Sequence, residues 1–155
     1  MDVAIVIAEE RSDTPDAIAL IGELDAHLGA LYAVESQHGF SVEKLLREGV
    51  RFFVARDDGR AAGCGGVLLV GPEYAEVKRM YVRPMFRGRR IGQLMLDHLV
   101  GHARQHGFAV IRLETGIHQR EAIALYERSG FRRIAPFGPY RADPVSLCYE
   151  KVLSS

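Results

Sequence analysis

Residues 81–92 (YVRPMFRGRRIG) restrict the folds open to this chain more than any other stretch. A β-branched and aromatic run ends at Pro84, a short loop rich in Arg and Gly follows, and a helix begins at about Arg90. The first backbone N–H groups of a helix lack intrahelical partners and sit at the positive end of its dipole, so a diphosphate is the ligand that suits such a junction. Gly88 and Gly92 let main chain approach phosphate closely, and Arg87, Arg89 and Arg90 add positive charge. The spacing is neither GxxxxGK[ST] nor GxGxxG. On spacing alone, a loop with a solvated basic face fits as well.

The remaining pattern supplies a sheet for that junction. Residues 3–8 form an apolar, β-branched run that predicts a first strand. Asp13 or Thr14 then caps a helix with Pro15 in its first turn, and Ile18, Ile21, Leu24, Leu28 and Leu31 recur on one expected core face. An irregular segment over residues 32–40 contains Glu35, and Ser41 opens a shorter helix that Gly49 ends. Strands are predicted over residues 51–56 and 61–70, joined by an Asp58-Gly59 hairpin turn, and over residues 75–83 after Gly71-Pro72. Ile91, Leu94, Met95, Leu99 and Ala103 mark one side of the next helix, closed by Gly107. A strand over 108–115, a helix over 119–129 and strands over 131–135 and 145–152 complete a single α+β domain spanning residues 1–155.

A chain of 155 residues can bury roughly 70% of its unfolded surface, so it needs neither a disulfide framework nor a metal for a core. Cys64 and Cys148 stand far apart with no CxxC, which fits a reducing compartment and makes cytoplasm the expectation. No apolar run approaches the ~20 residues of a membrane helix, and the first residues lack the basic start of a signal peptide. Twenty bases against twenty acids argue against a nucleic-acid or membrane-surface binder. That balance is sorted along the chain: residues 1–49 hold 10 acids and 3 bases, and residues 50–155 hold 17 bases and 10 acids. Lys78, Arg79, Arg83, Arg87, Arg89 and Arg90 crowd together, with no acid over residues 77–96, which concentrates an anion site in a neutral protein.

With these residues in view, the chain resembles the GCN5-related N-acetyltransferase (GNAT) superfamily. Arg87-Gly88-Arg89-Arg90-Ile91-Gly92 is similar to that family's Q/R-x-x-G-x-G/A loop, with Arg90 in place of the first glycine. A residue in a first helical turn has φ near −60°, so the replacement is expected to be tolerated. Met80-Tyr81-Val82-x-Pro84 resembles the strand end before that loop, and residues 121–131 (EAIALYERSGF) resemble a second family motif, with Gln119 where an asparagine is usual. The resemblance covers nearly the whole chain. It implies a mixed, mostly antiparallel sheet flanked by about four helices, and transfer of acetyl from acetyl-CoA to an amine by direct attack in a ternary complex. It also implies a cofactor site built from Met80, Tyr81, Val82, Arg87, Gly88, Arg89, Arg90, Ile91, Gly92, Gln119 and Tyr126, no metal, and pairing of two copies through the last strands.

By the same resemblance Tyr126 is the expected donor to the leaving thiolate, and main chain near residues 80–82 the donor to the thioester oxygen. Glu76 is the leading candidate for general base, with Glu73 and Glu35 behind it. Strict alternation places Glu76, Lys78, Met80 and Val82 on one face of their strand and Val77, Arg79 and Tyr81 on the other. A Glu76–Lys78 surface pair is an equal alternative. Lys78 and Arg79 in mid-strand suggest a cleft that takes a carboxylate, and residues 137–144 suggest a lid contributing Tyr140 and Arg141; together with Glu114-Thr115-Gly116 that segment resembles a branch of the family acting on small carboxylate-bearing compounds. Substrate contacts are therefore expected from Lys78, Arg79, Glu35 and Tyr140. His98, His102 and His106 recur every four residues but lack an accompanying carboxylate or cysteine, so they predict surface or partly buried histidines rather than a metal site. A small-molecule acceptor is the first reading; a basic peptide read by the acidic N-terminal part, or a weakly catalytic CoA-binding sensor, are the others.

Overall fold

A computed structural model describes residues 4–33 and 40–153. The strands are β1 (Ile5–Glu9), β2 (Arg51–Asp57), β3 (Arg60–Val70), β4 (Tyr74–Val82), β5 (Val110–Gly116), β6 (Arg132–Ile134) and β7 (Ser146–Val152). The helices are α1 (Pro15–Leu31), α2 (Val42–Arg47), α3 (Ile91–Gln105) and α4 (Arg120–Arg128). Local chemistry sets most of these boundaries. Thr14 Oγ1 accepts from the Ala17 N–H at the start of α1, and Ser41 Oγ accepts from the Lys44 N–H at the start of α2. Asp58 and Gly59 both take positive φ, 52° and 84°, as a two-residue hairpin turn between β2 and β3 requires.

One seven-stranded sheet runs in the order β1-β2-β3-β4-β5-β7-β6. Every neighbouring pair is antiparallel except β4 and β5, which run parallel and share only the registers Ala75↔Ile111 and Glu76↔Arg112. Beyond Glu76 the two strands part, and the sheet opens into a fork.

The two faces of the sheet carry separate cores. On one, Ile91, Met95, Leu96, Leu99, Val100 and Ala103 of α3 pack with Phe53, Ala55, Ala62, Val67, Val77 and Leu113. On the other, Ala17, Leu20 and Ile21 of α1 and Leu45 of α2 cover Phe52, Val54, Ala61 and Cys64. The expected helix faces need adjustment, because Ile18 is 49% exposed and Leu94 42% exposed. In α1 the contact stripe runs through Ala17 and Leu20. Ala17 carries little hydrophobic signal, yet it is fully buried in the core between helix and sheet.

Charge complements this packing. Arg56 binds Glu10 and Asp16, Arg83 forks onto Glu23, and Arg79 binds Asp25. The acids of the N-terminal part thus meet bases of the sheet across the α1 interface. No helix among the described residues is long and apolar enough to cross a membrane.

The Phe53 ring packs edge-on to His98 at 4.6 Å and to His102 at 5.6 Å, and His102 lies 4.2 Å from the His106 ring. Burial holds the His102 imidazole below its ordinary pKa, with His106, Arg51 and His98 adding to the effect and Glu9 opposing it. The unfolded chain therefore binds more protons than the native state just below pH 6.5, and stability falls as pH drops through that range. Thermal unfolding followed from pH 8 to pH 5 should show an acid-side loss of Tm that His102→Leu makes shallower.

Candidate active site

At the fork, β4 departs from regular alternation. Gly66 faces Lys78 and Cys64 faces Tyr81, so three steps along β4 match two along β3. The extra residue is Arg79, at φ 57°. The bulge keeps Lys78, Arg79 and Tyr81 on the α1 face while Met80 and Val82 join Val77 against the α3 core. This corrects the expected alternation, which put Met80 and Val82 with Lys78 and set Arg79 opposite. Gly65 lies across from the bulge, where a Cβ would come within 3.0 Å of Met95 and 3.1 Å of Met80.

A groove of about 520 Å³ opens beside the fork. Met80, Tyr81 and Val82 line it from β4, Arg87, Gly88 and Arg90 from the loop, Ile91 and Gly92 from α3, and Arg120, Ala122, Leu125, Tyr126 and Arg128 from α4. Unlike α1 and α2, helix α3 starts with no capping side chain and no acid in its first turn. Its N-cap is Arg90, at φ 63° and ψ 19° in the left-handed region. The expected φ near −60° is thus overturned: Arg90 occupies a conformation that glycine adopts without strain. Gly92 brings α3 against α4, since a Cβ there would stand 3.3 Å from the Leu125 side chain. Uncapped N–H groups, glycines and arginines at one end of the groove fit the diphosphate of a nucleotide cofactor.

On the α1 side of the fork lies a smaller cavity of about 90 Å³. Its walls are Leu24, Leu28 and Tyr32, Phe40, Lys78, Arg79, Leu113, Glu114, Thr115 and Gly116, with Tyr140 and Val145. Leu24, Met80, Gln119 and Tyr126 border both spaces. Tyr126 is 5% exposed, and burial, reinforced by the charge of Glu114, pushes its phenol well above the ordinary range. It therefore keeps its proton near neutral pH.

Around the cavity the polar groups are tightly arranged. Lys78 Nζ bonds Glu76 at 2.8 Å and donates to the Tyr140 hydroxyl at 2.9 Å, while that hydroxyl donates to Glu76. The Lys78 ammonium also lies 4.0 Å from the Phe40 ring centre. Glu114 accepts from Ser146 Oγ at 2.7 Å. Gln119 Oε1 accepts from the Gly116 N–H at 3.0 Å. The His118 N–H donates to the Tyr32 hydroxyl at 3.1 Å, and a Cβ at Gly116 would fall 1.9 Å from that oxygen.

The sequence pattern of the Acetyltransferase (GNAT) family matches residues 18–131. The chain belongs to this family. It is 43% identical to an IAA acetyltransferase of Azospirillum brasilense, over 96% of this chain and 98% of that one. A structure from Klebsiella pneumoniae, described as an acyl-CoA N-acyltransferase, superposes with a TM-score of 0.83 at 36% identity and covers 97% of this chain and 99% of its own. The PaiA N-acetyltransferase of Thermoplasma acidophilum, solved with coenzyme A, shares the fold at a TM-score of 0.76 and 20% identity, over 97% of this chain and 99% of that chain. The protein is therefore a GNAT acyltransferase built on one α+β domain.

Within this GNAT fold most of the expected residues gather at the two spaces. Met80, Tyr81, Val82, Arg87, Gly88, Arg90, Ile91, Gly92, Gln119 and Tyr126 line the groove, and Lys78, Arg79 and Tyr140 line the cavity. Arg89 does not line the groove: its side chain binds the buried carboxylate of Asp57. Glu76 is 2% exposed and stands behind Lys78 and Tyr140, outside the cavity lining, in a buried pair rather than a surface one. Glu73 is exposed, and Glu35 lies outside the described residues. Tyr32, Arg120 and Arg128 were not anticipated, and Glu114 was expected only as part of the segment Glu114-Thr115-Gly116, with no role of its own. Glu114 carried the same signal as Lys78 and Arg79, a charge inside a strand.

Two substitutions separate the roles in the loop. Arg89→Ala strands the Asp57 carboxylate and should cost about 1–3 kcal/mol in chemical denaturation, with acetyl-CoA affinity nearly unchanged. Arg90→Gly relieves about 1–2 kcal/mol of left-handed strain against about 0.5–1 kcal/mol of added chain entropy. It should therefore raise stability slightly, by up to about 1.5 kcal/mol, while calorimetry shows weaker, less salt-dependent cofactor binding.

Proposed function

We propose that the protein transfers the acetyl group of acetyl-CoA to the amine of a small molecule by direct attack in a ternary complex. The observation that carries this reading is Tyr126, a buried phenol bordering both the groove with the diphosphate-binding end and the small cavity. The name of the Azospirillum relative, an IAA acetyltransferase, supports a small acceptor.

Acetyl-CoA supplies the acyl group as a thioester. The first turn of α3, with Arg87 and Arg90, holds the diphosphate, and Arg120 and Arg128 add charge along the groove. Main-chain N–H near Met80, on the strand edge freed where β4 leaves β5, donates to the thioester oxygen. Glu114 takes one proton of the acceptor ammonium and passes it to solvent. As the C–N bond forms and the C–S bond breaks, Tyr126 donates to the departing sulfur, which ends with the second proton of the ammonium. Glu76 fixes Lys78 and Tyr140 and does not reach the acceptor.

Thiol release from acetyl-CoA over panels of amines, amino acids and peptides tests the reading. Tyr126→Phe should lower kcat by about 10²-fold with acetyl-CoA affinity preserved. Glu114→Gln should lower kcat/KM near neutral pH by about 10²-fold. Tight acetyl-CoA binding without turnover of any amine would favour a CoA-binding module instead.

A further inference from the structure

We infer that Tyr32, the residue on which α1 ends, sets the upper size of the acceptor by closing the cavity against Gly116. The inference rests on the acetyltransferase reading and adds to it a residue that selects among acceptors.

The attachment of α1 is uneven along its length. Its buried residues are Ala17, Leu20, Ile21 and Leu24, whereas Leu31 near its end is 37% exposed. Past Leu24 the helix leaves the sheet core, and Leu28 and Tyr32 line the cavity instead. Tyr32 caps the helix in an extended conformation, φ −131° and ψ 148°, with its own N–H on the Leu28 carbonyl. Its side chain reaches the end of β5. There the hydroxyl accepts from the His118 N–H at 3.1 Å, and the Tyr32 and His118 rings lie 5.5 Å apart.

Gly116 is the second half of the closure. A Cβ there would overlap both the Tyr32 hydroxyl and its ring. Gly116 lies outside the left-handed region that Gly88, Gly107 and Gly130 occupy, so its backbone does not call for glycine. The close approach of Tyr32 does. Glu114 and Thr115, the two residues before it, line the same cavity, so the ring rests at the end of the strand that carries the proposed base.

The neighbouring wall is anchored by its own contacts. The Tyr140 hydroxyl is bound by Lys78 at 2.9 Å and by Glu76, while Phe137 packs edge-on to Tyr140 at 5.1 Å and to Tyr74 at 5.3 Å. Tyr32 closes the cavity from a helix end, with a phenol ring that is large beside a space of about 90 Å³. The body of an acceptor whose amine meets Glu114 has to fit beside that ring. In a filled apolar pocket one methylene changes kcat/KM by about 10- to 200-fold, so the ring discriminates steeply by bulk.

The test compares bulk within two acceptor series on the unmodified protein, Tyr32→Ala and Tyr32→Phe: primary amines from ethylamine to phenethylamine, and amino acids from glycine to phenylalanine. In at least one series the unmodified protein should favour the smallest member in kcat/KM, and Tyr32→Ala should raise the ratio of largest to smallest by about 10-fold or more. Tyr32→Phe keeps the ring and should keep the ratio. Each ratio is internal to one protein, so a lower folded fraction does not affect it. An unchanged ratio in Tyr32→Ala, or an equal rise in Tyr32→Phe, would overturn the size limit and leave the acetyltransferase reading standing. Titration of both series into protein saturated with CoA reads the same ratio without turnover. A shift there with no acetyl transfer would uphold the limit and overturn the catalytic reading; no turnover and no shift would overturn the limit. A second readout needs no acceptor: Gly116→Ala should lower Tm by several degrees in the unmodified protein and by much less in Tyr32→Ala, where the ring it strikes is gone. Equal losses in both would overturn the contact on which the limit depends.

Discussion

The geometry of the site depends on one surplus residue in β4. A strand ordinarily sends successive side chains to opposite faces, and at Arg79 that rule is suspended. Lys78 and Arg79 are therefore neighbours on the α1 face, beside Tyr81, while Met80 turns to the α3 core. The same extra step lies where β4 and β5 have already parted, after two registers of pairing. Main chain freed from the ladder, a cluster of cations and a shared wall of Met80 and Tyr126 thus arise together. Gly65 answers the bulge from β3, since a Cβ there would press on the side chains of Met80 and of Met95 and Leu99 in α3.

Positive charge near the fork is divided between structure and ligand. Arg83 is occupied by Glu23, Arg89 by Asp57, and Arg56 by Glu10 and Asp16. Arg87, Arg90, Arg120 and Arg128 line the groove. A basic run in a sequence is therefore a poor measure of a binding site until its internal partners are known. Here the acids that neutralise half the run lie far away in the chain, on the first helix and on β2.

Much of this was legible in the sequence because local chemistry decided it. Thr14 and Ser41 cap helices with their own side chains, Asp58-Gly59 makes its turn, and the strand–loop–helix junction is specified by Pro84, Gly88 and Gly92. What escaped depends on tertiary contacts. Alternation has no means of signalling that Arg79 is surplus, because the bulge is fixed by register against β3. Arg90 reads as a first-turn residue, yet the chain enters α3 through a left-handed turn. Glu76 and Glu114 are similar carboxylates in strands, and only the place of Tyr140 and Lys78 shows which is enclosed and which meets the cavity.

The attachment of α1 has a consequence for how the cavity behaves. Leu24, Leu28 and Tyr32 form one of its walls, and they belong to a helix fastened to the sheet by arginine–carboxylate pairs as well as by the apolar stripe near its start. Several of those carboxylates are exposed: Asp16 by 49%, Glu23 by 40% and Asp25 by 59%. Pairs at such sites are weakened as the Debye length shrinks from about 8 Å in physiological salt. Ionic strength is thus a dial on how stiffly α1 walls the cavity.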